Sequence, residues 1–253
     1  MSCTKNKAAA TIMGISFPKN TMRDCSAIIE QAIEQDKQEL FHVITGNPEI
    51  VMASQKDEQL RTIIQQAGLV TADGIGVVMV SRLRRQRLPE RVTGCDLLLE
   101  LLAAGNRNRW SVYLLGADEE TNRGAAEAIL KMYPHIRVAG RHHGYFKPEE
   151  DGRIVQEIAT AQPDILAVAL GAPNAERWIH KYRSQLHAKV AMGVGGTLDV
   201  IAGTVPRAPM IWRRMNLEWL YRLIHQPSRW RRQLMLPRFA VRALLHRERE
   251  NIT

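Results

Sequence analysis

Short apolar runs alternate with longer stretches of helical period through the first two hundred residues, and nothing else in the chain narrows the fold as far. "LFHVIT", "WSVYLLG", "DILAVALG" and "KVAMGVG" are continuous and rich in branched side chains, the pattern of strands buried on both faces. Each is followed by a segment of helical pattern, at 48–67, 119–133, 174–187 and from about 197; further helices are expected at 21–36, 95–104 and 149–161. The alternation predicts an α/β fold, a mostly parallel, Rossmann-like sheet with helices on both faces. The opening "KNKAAATIMGISF" has two lysines before a short apolar segment but no convincing small-residue cleavage site, so it reads as an opening strand rather than a leader.

The pattern changes near Pro206. From there to Thr253 the chain has eleven arginines, three glutamates and neither lysine nor aspartate, so this tail holds a surplus of eight of the nine net positive charges of the 253-residue chain. Trp212, Met215, Trp219 and Leu223 recur at steps of three or four, giving one apolar helical face with arginines around it. Pro227 and Pro237 divide the region into about three short helices. Residues 1–205 are expected to form the α/β core and 206–253 an arginine-rich, amphipathic helical appendage.

Such asymmetry calls for an anionic partner. Arginines interleaved with apolar residues at helical spacing suit a lipid–water interface better than a phosphate track, so an anionic membrane surface is favoured over nucleic acid, the competing class. Trp212, Trp219 and Trp230, with Arg229, Arg231 and Arg232, are the expected membrane-facing residues. No apolar run reaches the roughly 18–20 residues that a spanning helix needs. Cys3, Cys25 and Cys95, with no C-x-x-C pair, indicate neither a disulfide framework nor a zinc site. The reading is a cytoplasmic protein, peripheral on the inner face of the cell membrane; a homo-oligomer is compatible with the sequence and not required by it.

Chemistry is expected at strand ends. Asp73, in "TADGIG", belongs to an Asp-Gly turn pair, yet it lies between an apolar run and a helical stretch, where the ligand crevice of an open α/β sheet forms. Thr45 and Asn47 end a neighbouring strand; Asn47 serves equally well as a helix N-cap, with Pro48 opening the helix. Gly171, Gly193, Gly195 and Gly196 also stand at strand ends, where glycine permits either a tight turn or close approach of a phosphate to backbone N–H groups. Asp199 follows the last of these, and "RVTGCD" puts Arg91 and Asp96 just ahead of a helix. His142 and His143 are adjacent, a spacing that does not converge on one ion from a helix or strand, and neither H-E-x-x-H nor D-x-D occurs. No metal and no cofactor are expected. Arginine is the cation available for phosphate.

Together "TGNPE", "ADGIGVVMVSRL", "RVTGCDL", "GYF", "LGAPNAERWI", "GVGGTLDVIAG" and "RAPMIWRRMNLEWLYRLIHQPSRWRRQ" resemble the bacterial TagA/WecG glycosyltransferases, in order and over nearly the whole chain after the first ten residues. The resemblance implies an inverting transfer without a required metal. N-acetylmannosamine would pass from its UDP donor to the 4-hydroxyl of N-acetylglucosamine on undecaprenyl diphosphate, in the making of the wall teichoic acid linkage unit. UDP-N-acetylmannosaminuronate is the alternative donor on the same fold. The general base so implied is Asp73, with Thr45, Asn47 and Arg91 as further active-site positions. Asp199 is expected to orient the donor, and Arg207, Arg214 and Arg222 are the tail arginines expected at its diphosphate. One departure is plain: where the family reads Pro-x-Gln-Glu this chain has Pro173, Asn174, Ala175 and Glu176, and alanine cannot hydrogen-bond a sugar.

Overall fold

A computed structural model describes residues 9–35, 39–215, 218–225 and 235–246. Its centre is a six-stranded sheet built from β3 (Phe41–Gly46), β4 (Leu69–Ala72), β5 (Ser111–Gly116), β6 (Arg137–His142), β7 (Ile165–Ala169) and β8 (Val190–Gly193). The strand order is β4-β3-β8-β7-β5-β6 and every pairing is parallel. Parallel neighbours need crossovers, and helices supply them. These are α1 (Met22–Glu34), α2 (Pro48–Ser54), α3 (Glu58–Gln65), α4 (Ile75–Leu83), α5 (Gly94–Asn108), α6 (Glu119–Met132), α7 (Asp151–Ala161), α8 (Asn174–Tyr182) and α9 (Thr197–Ala202).

Alternation along the strands divides the interior. Val43, Leu114, Ala167 and Met192 pack with α1, α5, α6 and α9, while Leu115, Leu166, Val168 and Ala191 pack with α7 and α8 on the opposite face. A third cluster places Ile44 and Val70 against α2, α3 and α4. Strands covered on both faces are mostly apolar, and β4, β5 and β8, buried at every position, were readable as short apolar runs.

Four local features differ from the sequence expectation. The opening segment is a hairpin of its own, β1 (Ala9–Ile12) antiparallel to β2 (Ile15–Pro18), and belongs to no other sheet. Its two-residue turn, Met13-Gly14, has φ of +52° and +77°, the left-handed geometry that matches strand twist. The stretch 48–67 is two helices because Asp57 caps a new one, accepting from the Leu60 N–H at 2.9 Å. Strand β6 was not anticipated. Finally, Pro237 does not break a helix: it lies in the first turn of Met235–Leu245, where proline's missing N–H costs no hydrogen bond.

The described tail consists of α10 (Met210–Arg214), α11 (Glu218–His225) and α12, the Met235–Leu245 helix. Phe239 and Ala243 of α12 are fully buried in the cluster formed by α2, α3 and α4.

Candidate active site

The carboxyl ends of β3, β4, β7 and β8 open into one cavity of about 580 Å³. Its position follows from topology. The chain runs from β3 outward to β4, crosses to β5 in the other half of the sheet, and returns through β7 and β8 to lie beside β3. Loops leaving β3 and β8 therefore diverge, and the crevice between them is where open α/β sheets bind ligands. The two halves are tied at the cavity floor, where the Thr45 hydroxyl donates to the Gly193 carbonyl at 3.4 Å.

Asp73 follows β4 and precedes α4, at the strand-to-helix junction expected of it. Its backbone N–H reaches the Gly46 carbonyl at 3.1 Å, which fixes the turn, and Gly74 takes a φ of +105° that favours glycine. The half-buried carboxylate lines the cavity, and its Oδ2 accepts from the Gly94 N–H at 3.3 Å. The turn is thus the device that presents the carboxylate.

Thr45, Asn47 and Arg91 line the same cavity as Asp73. Asn47 is also the N-cap of α2, its Oδ1 accepting from the Ile50 N–H at 2.9 Å, and Pro48 opens that helix. Gly171, Gly193, Gly195 and Gly196 line the cavity, as does Asp199. At Gly195 φ is +52° and a Cβ would meet nothing within 4 Å, so backbone conformation rather than crowding calls for glycine. Arg207 is placed elsewhere: its guanidinium pairs with Asp96, the third residue of α5, and it does not contribute to the cavity lining.

The tail contributes to the wall. Glu218 and Trp219 of α11 and Met235 and Leu236 of α12 line the cavity, and Glu218 pairs with Arg91 at 3.3 Å. Trp219, expected at the membrane, is therefore placed at the crevice, while Trp212 packs edge-on to Tyr221 at 5.7 Å between centroids. The side chains of Arg214 and Arg222, and all of Arg229, Trp230, Arg231 and Arg232, lie outside the described residues.

Sequence reading did not single out Glu49, Asp118, Tyr145 or Glu176, all in the cavity lining. Glu176 is 2% exposed, and burial pushes its carboxyl up to about 7, against a hydrogen bond from its own backbone N–H and with repulsion from Glu49 assisting. It stood in a quoted motif, yet only the packing of α8 against β8 reveals where it points. The rings of His142 and His143 lie 4.6 Å apart between centroids, tilted by 43°, with His142 Nε2 3.2 Å from Arg153 Nη2. Among the described residues no group of three or more His, Cys, Asp or Glu side chains is arranged to hold a metal ion. Cys25 and Cys95 are buried.

A carboxylate, a hydroxyl, an amide and two glycine loops converging on a crevice at the carboxyl edge define an α/β protein with a small-molecule site there. The Glycosyl transferase WecG/TagA/CpsF family model matches residues 10–252, and the chain belongs to that family. It is 41% identical over 202 residues to the N-acetylglucosaminyldiphosphoundecaprenol N-acetyl-beta-D-mannosaminyltransferase of Bacillus subtilis (strain 168), covering 80% of this chain and 78% of the relative. The protein of the same name from Staphylococcus aureus (strain MRSA252) is 36% identical over 234 residues, covering 92% of this chain and 91% of the relative.

Proposed function

We propose that this protein transfers N-acetylmannosamine from UDP-N-acetylmannosamine to the 4-hydroxyl of N-acetylglucosamine carried on undecaprenyl diphosphate, with inversion, to build the wall teichoic acid linkage unit. The observation that carries the reading is the Asp73 carboxylate at the crevice, steadied by the Gly94 N–H, in a chain of this family. The acceptor hydroxyl attacks the anomeric carbon from the face opposite UDP. As the new C–O bond forms, Asp73 takes the hydroxyl proton, and the bond to the UDP oxygen breaks with its electron pair leaving on the diphosphate. A positioned base is worth about 10²- to 10⁴-fold in rate.

Charge growing on UDP needs donors aimed at it. Backbone N–H groups around Gly195 and Gly196 serve this, with Arg91 and the tail arginines Arg214 and Arg222; Arg207 instead holds Asp96. Thr45 and the amide nitrogen of Asn47 face the sugars, and Asp199 orients the donor. No metal takes part.

The acceptor's lipid lies in a bilayer, so the protein works at an anionic membrane surface. No helix among the described residues is long and apolar enough to cross one. Met210, Ile211, Met215 and Ile224 of the tail are exposed, which supports a peripheral docking face, and each arginine near an anionic leaflet adds about 1 kcal/mol. The test is a panel of UDP sugars with a soluble lipid-diphosphate N-acetylglucosamine acceptor, read by product mass. UDP-N-acetylmannosamine should be the donor consumed, with or without EDTA. Preference for the uronate overturns the donor assignment.

A further inference from the structure

Glu176 is the group in the cavity whose surroundings leave it incomplete. It lies in the first turn of α8, just beyond the Gly171 loop, and its buried Oε2 has no hydrogen-bond partner among the described residues. Gly193 makes space for it, since a Cβ there would lie 2.6 Å from Oε1. Burying a carboxyl oxygen without a partner costs free energy, and a native fold that keeps such an atom calls for an explanation beyond packing. Electrostatics supply one. Glu49 and Asp118 line the same cavity, and the Glu49 carboxylate repels an ionised Glu176. A diphosphate brings further negative charge into this field.

We propose that Glu176 is a donor-binding residue that works as a neutral acid, its carboxyl O–H donating to a diphosphate oxygen of the nucleotide sugar beside Gly193 to Gly196. The inference rests on the UDP-sugar reading and deepens it. Ionised, Glu176 would set a like charge against the phosphate; neutral, it supplies a donor and removes that repulsion. Desolvation brings the free protein's Glu176 to about 7, with Glu49 on α2 pushing the same way. The other charged groups around α8 are engaged elsewhere. Arg177 pairs with Asp57 at the start of α3, Lys181 with Asp151 at the start of α7, and His42 from β3 interacts with His180 and Arg183 toward the far end of the helix. A phosphate bound beside Glu176 raises its proton affinity further, so binding above neutral pH must take up a proton.

Calorimetric titration of UDP into the full-length chain from about pH 6 to about pH 9, in buffers of different ionisation enthalpy, reads both affinity and proton uptake. Relative to Glu176→Gln, the wild type should lose affinity above about pH 7 with a limiting slope of about tenfold per pH unit, and should take up an additional proton, approaching one per UDP. Glu176→Gln, whose amide donates at every pH, should bind UDP at about pH 6 within roughly threefold of the wild type. Ionisation of UDP itself is common to both proteins and cancels in the comparison. Glu49→Gln leaves Glu176 in place and should shift the wild-type midpoint to lower pH. If the wild type does not bind UDP even at about pH 6, the donor reading falls and this inference with it. If both proteins bind UDP and their pH profiles and proton uptake coincide, this inference alone is overturned.

Discussion

Arg91 Nη2 lies 3.3 Å from Glu218 Oε2, joining the loop ahead of α5 to the tail helix α11 in the wall of the cavity. An appendage that served only to hold the protein on a surface would have no need of this contact. A chain ending at residue 205 loses Glu218, Trp219, Met235 and Leu236 from the lining. It should transfer almost no sugar, even to a water-soluble acceptor analogue assayed away from any membrane. Full activity on that analogue would reduce the tail to an anchor.

The tail also completes the core. Phe239 is fully buried against α2, α3 and α4, so Phe239→Ala should cost about 3–5 kcal/mol of stability, transfer and cavity terms together. Leu245→Ala, at a position 77% exposed, should cost less than about 0.5 kcal/mol. Urea denaturation of the two variants checks the contrast, and equal midpoints would remove Phe239 from the core.

Glu176 makes stability depend on pH with a definite sign. Its folded value, about 7, exceeds its ordinary 4.5, so the folded state holds the extra proton between those values and stability falls as pH rises through that window. His42 works in the opposite direction. Desolvation, with repulsion from His180 and Arg183, lowers it from 6.5 to about 3, and stability falls as pH drops through that range. The two effects oppose each other in the wild type, so the comparison with Glu176→Gln isolates one of them. The variant's advantage should grow from near zero below pH 4.5 to a plateau of roughly 3 kcal/mol above about pH 7. A difference that stays constant with pH would contradict it.

Ala175 is buried in the cavity lining, its Cβ 3.4 Å from where a Cβ on Gly193 would stand. Ala175→Gln adds a donor and an acceptor beside the glycine loop. A hydrogen bond to substrate there is worth about 0.5–1.5 kcal/mol, so kcat/KM should rise by up to roughly tenfold. An unchanged or lower value would show that the position makes no substrate contact in this protein.

What could be read from the sequence follows burial. Strands β5 and β8 are covered on both faces and announce themselves as apolar runs; β6, at the sheet edge, is partly exposed throughout and reads "RVAGRH", with no such run to find. Asp73, Thr45 and Asn47 were legible as candidates because strand ends can be counted along the chain. Glu176 and Trp219 were not legible as cavity residues, because the first depends on how α8 sits over β8 and the second on where the tail docks. Arg207 shows the converse limit: its charge suggested phosphate, while its pairing with Asp96 depends on the fold and could not be counted along the chain.

The central claim is that Asp73 is the general base, and the turnover of Asp73→Asn tests it most directly. The amide keeps the shape of the side chain and an oxygen for the Gly94 N–H, while losing basicity. The account predicts that the variant still binds UDP and that sugar transfer to the lipid-diphosphate acceptor falls by at least about 10²-fold. Retention of more than about a tenth of wild-type turnover would contradict it.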